Sequence, residues 1–292
     1  LDGAGWIGGV REVARLKHES RRHTYGDRAE MSVRKKVPMS MKSLSGRELA
    51  PYRRALADQR ALTQALQLLI QPSVADTRQS HGLHVTGRIV SADGRPKVCG
   101  DWYLTLPLPD GSLVLAVGDV TGHGLSAGSA MVELRYAMSA YASEGLPPAV
   151  VLTRLDRLLA GRHRDVMATA VVARYSPTEA EFTWASAGHP PILLAHSRGV
   201  AVLPNPAGAL LGSGFTPVYG QDRIWLRPGE RVICYTDGMI GREQLDEGIA
   251  NLAGQIRRGL DKPGQLLDHL GWPTSSPRLT DDACVLVAER IR

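Results

Sequence analysis

"DWYLTLPLPDGSLVLAVGDV", residues 101 to 120, sets two apolar, strand-forming runs on either side of Pro109-Asp110-Gly111. Proline followed by Asp-Gly suits a three-residue hairpin loop with Gly111 in the left-handed conformation, which places Leu108 opposite Ser112. Counting back in step along both strands then sets Asp101 opposite Asp119. A two-residue Asp110-Gly111 loop would set Asp101 opposite Val120, still adjacent to Asp119. In either register two carboxylates meet at the open end of one hairpin, an arrangement that costs several kcal/mol when partly buried unless a cation lies between them.

The chain continues as "TGHGLSAG", residues 121 to 128, with glycines flanking His123 and the small residues of a helix start. Helical patterning follows from Leu125 to Ala142, and again from Pro147-Pro148 to about Ala160. Short β-branched runs bounded by turn residues then predict strands in "LHVTGRIV" before the hairpin, and in "MATAVVARY", "EFTWASAG", "PILLAH", "RIWL" and "RVICYTDG" after it. A helical region near 243 to 271 and a last strand, "ACVLVAE", complete the pattern. Antiparallel hairpins with grouped helices point to an α+β fold, two sheets between helical layers.

Further acids stand at two strand ends. Asp237 follows "RVICYT" and precedes Gly238, and Asp281-Asp282 precede "ACVLVAE". Aspartate is a common turn residue, so each case alone reads as a turn; the hairpin register is what makes the set informative. Oxygen-only ligands beside glycines suit Mg²⁺ or Mn²⁺ rather than zinc, and the His and Cys positions offer no competing zinc spacing.

Composition bounds the rest. The 292 residues are 43% hydrophobic, enough for a sizeable core. No apolar run is long enough for a membrane span and no secretory leader is evident, so the expected location is the cytoplasm. Cys99, Cys234 and Cys284 are odd in number and far apart, and read as reduced, buried strand residues. The net charge of +6 is concentrated in residues 1 to 60, which hold 14 Lys and Arg against 7 Asp and Glu. Residues 1 to 45 read as a basic, weakly ordered segment, taken as a solvated tail rather than a nucleic-acid contact. Residues 46 to 74 read as a linker helix, with Leu62, Leu66 and Leu69 on one face. That stripe suits packing on the following domain or a homodimer or signalling helix, and the sequence leaves the choice open.

Five segments, "VCGDWYL", "GDVTGHGLSAG", "ASAGHPPILL", "LRPGERVICYTDGM" and "TDDACVLV", resemble, in this order, the motifs of bacterial metal-dependent serine/threonine phosphatases of the sporulation stage II protein E type, a branch of the protein phosphatase 2C-like superfamily. The resemblance covers residues 75 to 292. It implies an α-β-β-α sandwich of two mainly antiparallel sheets holding two Mg²⁺ or Mn²⁺ ions. Asp101, Asp119, Asp237 and Asp281 would be metal ligands, with Val120 contributing its main-chain carbonyl. Such a site activates water for in-line attack on phosphorus and needs no serine or cysteine nucleophile. The implied partner is a phosphorylated regulatory protein such as an anti-sigma-factor antagonist.

Three positions depart from that pattern. Cys99 stands where the family usually has glycine, Leu104 where it usually has a second acid, and Ile240-Gly241-Arg242 where a glutamate often follows. His189 reads as a turn residue with a structural role, and His123 either as the same or as a candidate group that supports the metal ligands or contacts phosphate. Two other functions compete with the phosphatase reading: an inactive binding module on the same fold, and a phosphate hydrolase acting on small molecules. That every implied ligand position is an acid or a main-chain carbonyl disfavours the first. The absence of a glycine-rich Lys-Ser/Thr loop removes only one way of binding nucleotides.

Overall fold

In the computed structural model, Leu108 N–H donates to Ser112 O at 2.8 Å, and Gly111, at φ +82°, closes a three-residue loop. Asp110 supports the turn by accepting from both Ser112 N–H, at 2.9 Å, and Ser112 Oγ, at 2.6 Å. The strands joined by this loop, β3 (Asp101–Pro107) and β4 (Leu113–Val120), pair Asp101 with Asp119, the first of the two expected registers.

The structure describes Arg54 and residues 76–80, 82–90, 100–122, 125–163, 165–214, 218–240, 245–260 and 281–291. The expected basic segment and, apart from Arg54, the expected linker helix therefore lie outside the described residues, as do Cys99 and His123. Upstream of β3 are β1 (Asp76–Ser80) and β2 (Leu83–Val90). Downstream of β4 run α1 (Leu125–Ser143), α2 (Pro148–Arg162), β5 (Ala168–Ser176), β6 (Glu181–Ala187), β7 (Leu193–His196) and β8 (Gly199–Val202). Then come β9 (Asp222–Trp225), β10 (Arg231–Tyr235), a single 3₁₀ turn (Asp237–Met239), α3 (Leu245–Gly259) and β11 (Ala283–Arg290). Within the helical region expected near 243 to 271, α3 is the described part.

Among the described residues all strand pairing is antiparallel. One sheet has six strands in the order β1-β2-β11-β10-β7-β8, the other five in the order β3-β4-β5-β6-β9. The strand period decides which side chains each layer receives. Tyr103, Leu115, Val117, Val171, Ala173, Phe182 and Trp184 of the five-stranded sheet meet Val85, Val232, Cys234, Cys284 and Leu286 of the other, forming the core between the sheets. The alternate residues, Trp102, Leu104, Val114, Ala116 and Val172, face outward under α1 and α2. On the opposite side Ile249, Leu252 and Ile256 of α3 cover Leu193, Ile233, Tyr235, Val285 and Val287 of the six-stranded sheet. The α+β class and the two sheets between helical layers are as expected.

Local chemistry explains the helices. α2 starts on Pro147-Pro148, where a missing N–H costs nothing, and buries Val151, Leu152, Leu155 and Leu159 at helical spacing. α1 carries Ala127, Ala130, Met131, Leu134 and Met138 inward, its alanines letting the helix lie close to the sheet. No described helix is long and apolar enough to cross a membrane.

Candidate functional site

Asp101 begins β3 and Asp119 stands next to last in β4. Directly paired residues of antiparallel strands point to the same side, here the side between the sheets. Both carboxylates are buried, with 3% and 5% of their surface exposed. The facing sheet supplies Thr236, whose Oγ1–H donates to Asp101 Oδ2 at 2.7 Å and which accepts from Cys284 N–H at 2.8 Å. Thr236 N–H also donates to Cys284 O at 3.0 Å, continuing the β10–β11 ladder to the sheet's end. One buried hydroxyl thus ties the carboxylate pair of one sheet to the edge of the other.

That edge carries the remaining two acids. Asp237 follows Thr236 and opens the 3₁₀ turn, while Asp281 accepts from Asp282 N–H at 3.0 Å just before β11. Gly238 holds the two segments together. A Cβ at that position would lie 1.9 Å from Asp282 O, so only glycine lets the turn approach the β11 backbone this closely.

Gly100 plays the corresponding part at the β3 end. A Cβ there would lie 2.4 Å from Val120 O and 3.2 Å from Asp119 Oδ1, so the missing side chain leaves these two oxygens gathered against the main chain. Val120 N–H donates to Gly100 O at 3.2 Å and keeps the edge in register. Two buried carboxylates and a carbonyl are hard oxygen donors whose combined charge favours a divalent cation, so the donor chemistry fits Mg²⁺ or Mn²⁺. Among the described residues no three His, Cys, Asp or Glu side chains form a metal-holding group by themselves. The structure brings Asp101, Asp119 and the Val120 carbonyl together, and connects Asp237 and Asp281 to them through Thr236 and Gly238 rather than as one tight cluster.

Thr236 and Thr169 were not singled out from the sequence. Thr169 pairs with Asp119 across β4–β5, and its Oγ1 lies 3.0 Å from His189 Nδ1, both residues being buried. Asn205 Nδ2 donates to His189 O at 2.6 Å. His189 is thus an internal hydrogen-bonding partner, in keeping with a structural role. The position of Thr236 directly before Asp237 was its one local signal, since threonine continues the strand while offering a hydroxyl at the sheet edge. Replacing Thr236 with valine is expected to lower stability by about 1–3 kcal/mol in denaturant unfolding, with Thr236→Ser restoring most of it, because valine keeps the shape and loses both hydroxyl bonds.

Leu104 and the two described cysteines now have locations. Leu104 lies under α1 and α2 on the opposite face of β3 from Asp101, so its side chain fills the outer core rather than the carboxylate edge. Cys234 and Cys284 are free thiols in the core between the sheets. Burial pushes the Cys234 thiol up to about 12, which keeps it protonated and a poor nucleophile at neutral pH.

The two-sheet sandwich between helical layers is a PP2C-like fold, shared with the PP2C phosphatase domain of SpoIIE from Bacillus subtilis at a TM-score of 0.60 and 15% identity over 83% of this chain and 92% of that one. Residues 109–291 match the model of the family described as Stage II sporulation protein E (SpoIIE), and the chain belongs to that family. Among curated proteins it is 28% identical over 145 residues to the phosphoserine phosphatase RsbU of Bacillus subtilis (strain 168), a match covering 49% of this chain and 43% of that protein. The chain thus spans less than half the length of this relative. The crystal structure of the RsbU and RsbW domains of Rv1364c from Mycobacterium tuberculosis superposes with a TM-score of 0.67 at 29% identity, covering 75% of this chain and 62% of that one. RsbX, solved in complex with magnesium, shares the fold with a TM-score of 0.57 at 19% identity over 74% of this chain and 98% of that one.

Proposed function

We propose that this chain is a metal-dependent protein phosphatase that hydrolyses phosphoserine or phosphothreonine on a regulatory protein, with an anti-sigma-factor antagonist as the partner class. The observation that carries the reading is the buried Asp101–Asp119 pair, joined across the sandwich by Thr236 to the strand end that bears Asp237. Two adjacent buried carboxylates favour a cation between them, because like charges this close repel. Family membership and the naming of RsbU as a phosphoserine phosphatase support the same chemistry.

Asp101, Asp119 and the Val120 carbonyl would hold metal from the five-stranded sheet, and Asp237 and Asp281 from the six-stranded one. Bound divalent ions would supply Lewis acidity, neutralising phosphoryl charge and acidifying water. The chain's own part is positional. Gly100 and Gly238 bring main chain within contact of the acids, Thr236 fixes the Asp101 carboxylate, and the core between the sheets closes the site from beneath.

The test is phosphate release from a phosphoserine peptide during a Mn²⁺ titration. Release that rises with Mn²⁺ and ceases on chelation is expected. Mn²⁺ binding measured by calorimetry without release from any phosphoserine or phosphothreonine peptide or phosphoprotein would overturn the enzymatic reading in favour of a binding module.

A further inference from the structure

The face that α2 turns toward the sheet is apolar except at one place. Asp156 is 7% exposed among Leu152, Leu155 and Leu159, and its Oδ1 accepts from Gly212 N–H at 2.8 Å. A carboxylate carried into such a face costs stability, so what it holds matters.

Gly212 belongs to the segment between β8 and β9 that borders the candidate metal edge. Beyond Ala170 the strand β5 loses β6 as a neighbour, because β6 ends at Ala187 and turns away at Gly188 (φ +60°). Leu211 takes the vacated place: Ala168 N–H donates to Leu211 O at 3.1 Å, and Leu211 N–H donates to Ala168 O at 3.0 Å. Ala168 in turn pairs with Val120, and the adjacent Thr121 N–H donates to Met167 O at 2.8 Å. One continuous main-chain row therefore runs from Gly100 through Val120 and Ala168 to Leu211.

Gly212, at φ +74°, is where that row meets α2. A Cβ there would lie 2.5 Å from Val166 O and 3.0 Å from Leu159 Cδ2, so the segment is pressed between the helix and the approach to β5. Tyr219 lies beside Asp156. Burial, and secondarily the Asp156 charge, push its phenol upward, and among the described residues its hydroxyl has no hydrogen-bond partner.

We propose that Asp156 is a positioning residue: by gripping Gly212 it keeps Leu211 paired with Ala168, and through that row it fixes the Val120 carbonyl at the metal edge. The inference rests on the reading given under Proposed function. It adds a control point on α2, on the far side of the five-stranded sheet from the carboxylates.

The experiment uses the full chain with Asp156→Ala, Asp156→Asn and Asp156→Glu, and Arg154→Ala as a surface control on the same helix. Hydrogen exchange of the Ala168, Leu211 and Gly212 amides is followed in metal-free protein, and Mn²⁺ affinity is measured by calorimetry. In Asp156→Ala these amides exchange faster and Mn²⁺ affinity falls about tenfold or more, the usual scale for residues that orient ligands from behind. Asp156→Asn, which keeps an acceptor in place, stays close to the parent, and Arg154→Ala does too. If alanine prevents folding, Asn against Glu decides, because glutamate keeps the charge but displaces the acceptor. Parent-like Mn²⁺ affinity in both Asp156→Ala and Asp156→Glu overturns the inference and leaves the phosphatase reading standing. Failure of the unaltered chain to bind Mn²⁺ overturns that reading and this inference with it.

Discussion

Asp119→Asn is expected to lower metal-dependent phosphate release by about two orders of magnitude or more while raising the stability of the metal-free protein by about 1 kcal/mol. The two effects share one cause. Asp119 faces Asp101 in a buried pair, so the folded chain holds like charges together in the absence of metal. Asparagine keeps the size and one oxygen but removes a charge, easing repulsion in the empty site and weakening the attraction for a cation. Urea unfolding in chelator and phosphate release in Mn²⁺ should therefore move in opposite directions. A variant that lost stability in chelator, or kept its metal-dependent release, would show that the pair is a packing feature instead.

Gly238→Ala is expected to destabilise the fold by about 1–3 kcal/mol or more and to abolish activity, although it adds only one methyl group. The new Cβ would lie 1.9 Å from Asp282 O, 2.8 Å from Asp282 C and 3.0 Å from Ala283 Cα. All three are main-chain atoms, so no rotamer change relieves the contact. The 3₁₀ turn must separate from the start of β11, carrying Asp237 away from Asp281. Denaturant unfolding measures the first effect, and Mn²⁺-dependent phosphate release the second. Gly122→Ala is the informative contrast for crowding: Gly122 has nothing within 4 Å of its Cβ position, though its φ of +97° strains any side chain. A Gly238→Ala variant no less stable than the parent would mean that the turn and the strand do not approach this closely.

The hairpin shows how much of the fold was legible in advance. Pro109-Asp110-Gly111 has a local turn preference, and antiparallel pairing propagates a turn's register mechanically, so the meeting of Asp101 and Asp119 followed from counting, while the loop length that sets them directly opposite was seen only in the structure. The helices from Leu125 and from Pro148 were equally readable, because small or apolar periodicity and a proline start are properties of neighbouring residues. Two short strands, β1 and β8, were not anticipated. β8 has only four residues, all partly or fully exposed, and so lacks the alternation that marks a half-buried strand.

The sequence by itself determined that one hairpin brings Asp101 and Asp119 together, the α+β class and the identity of the acids, since each depends on residues close along the chain or on chemistry that a single residue type carries. The tertiary structure alone decided how those acids are held. Thr236 reaches Asp101 across 135 positions, Thr169 meets His189 beside the Asp119 strand, and Asp156 secures Gly212 from the far helical layer. None of these contacts has a local signature, because a hydroxyl or carboxylate finds its buried partner only once the layers have packed and water is no longer available to satisfy it.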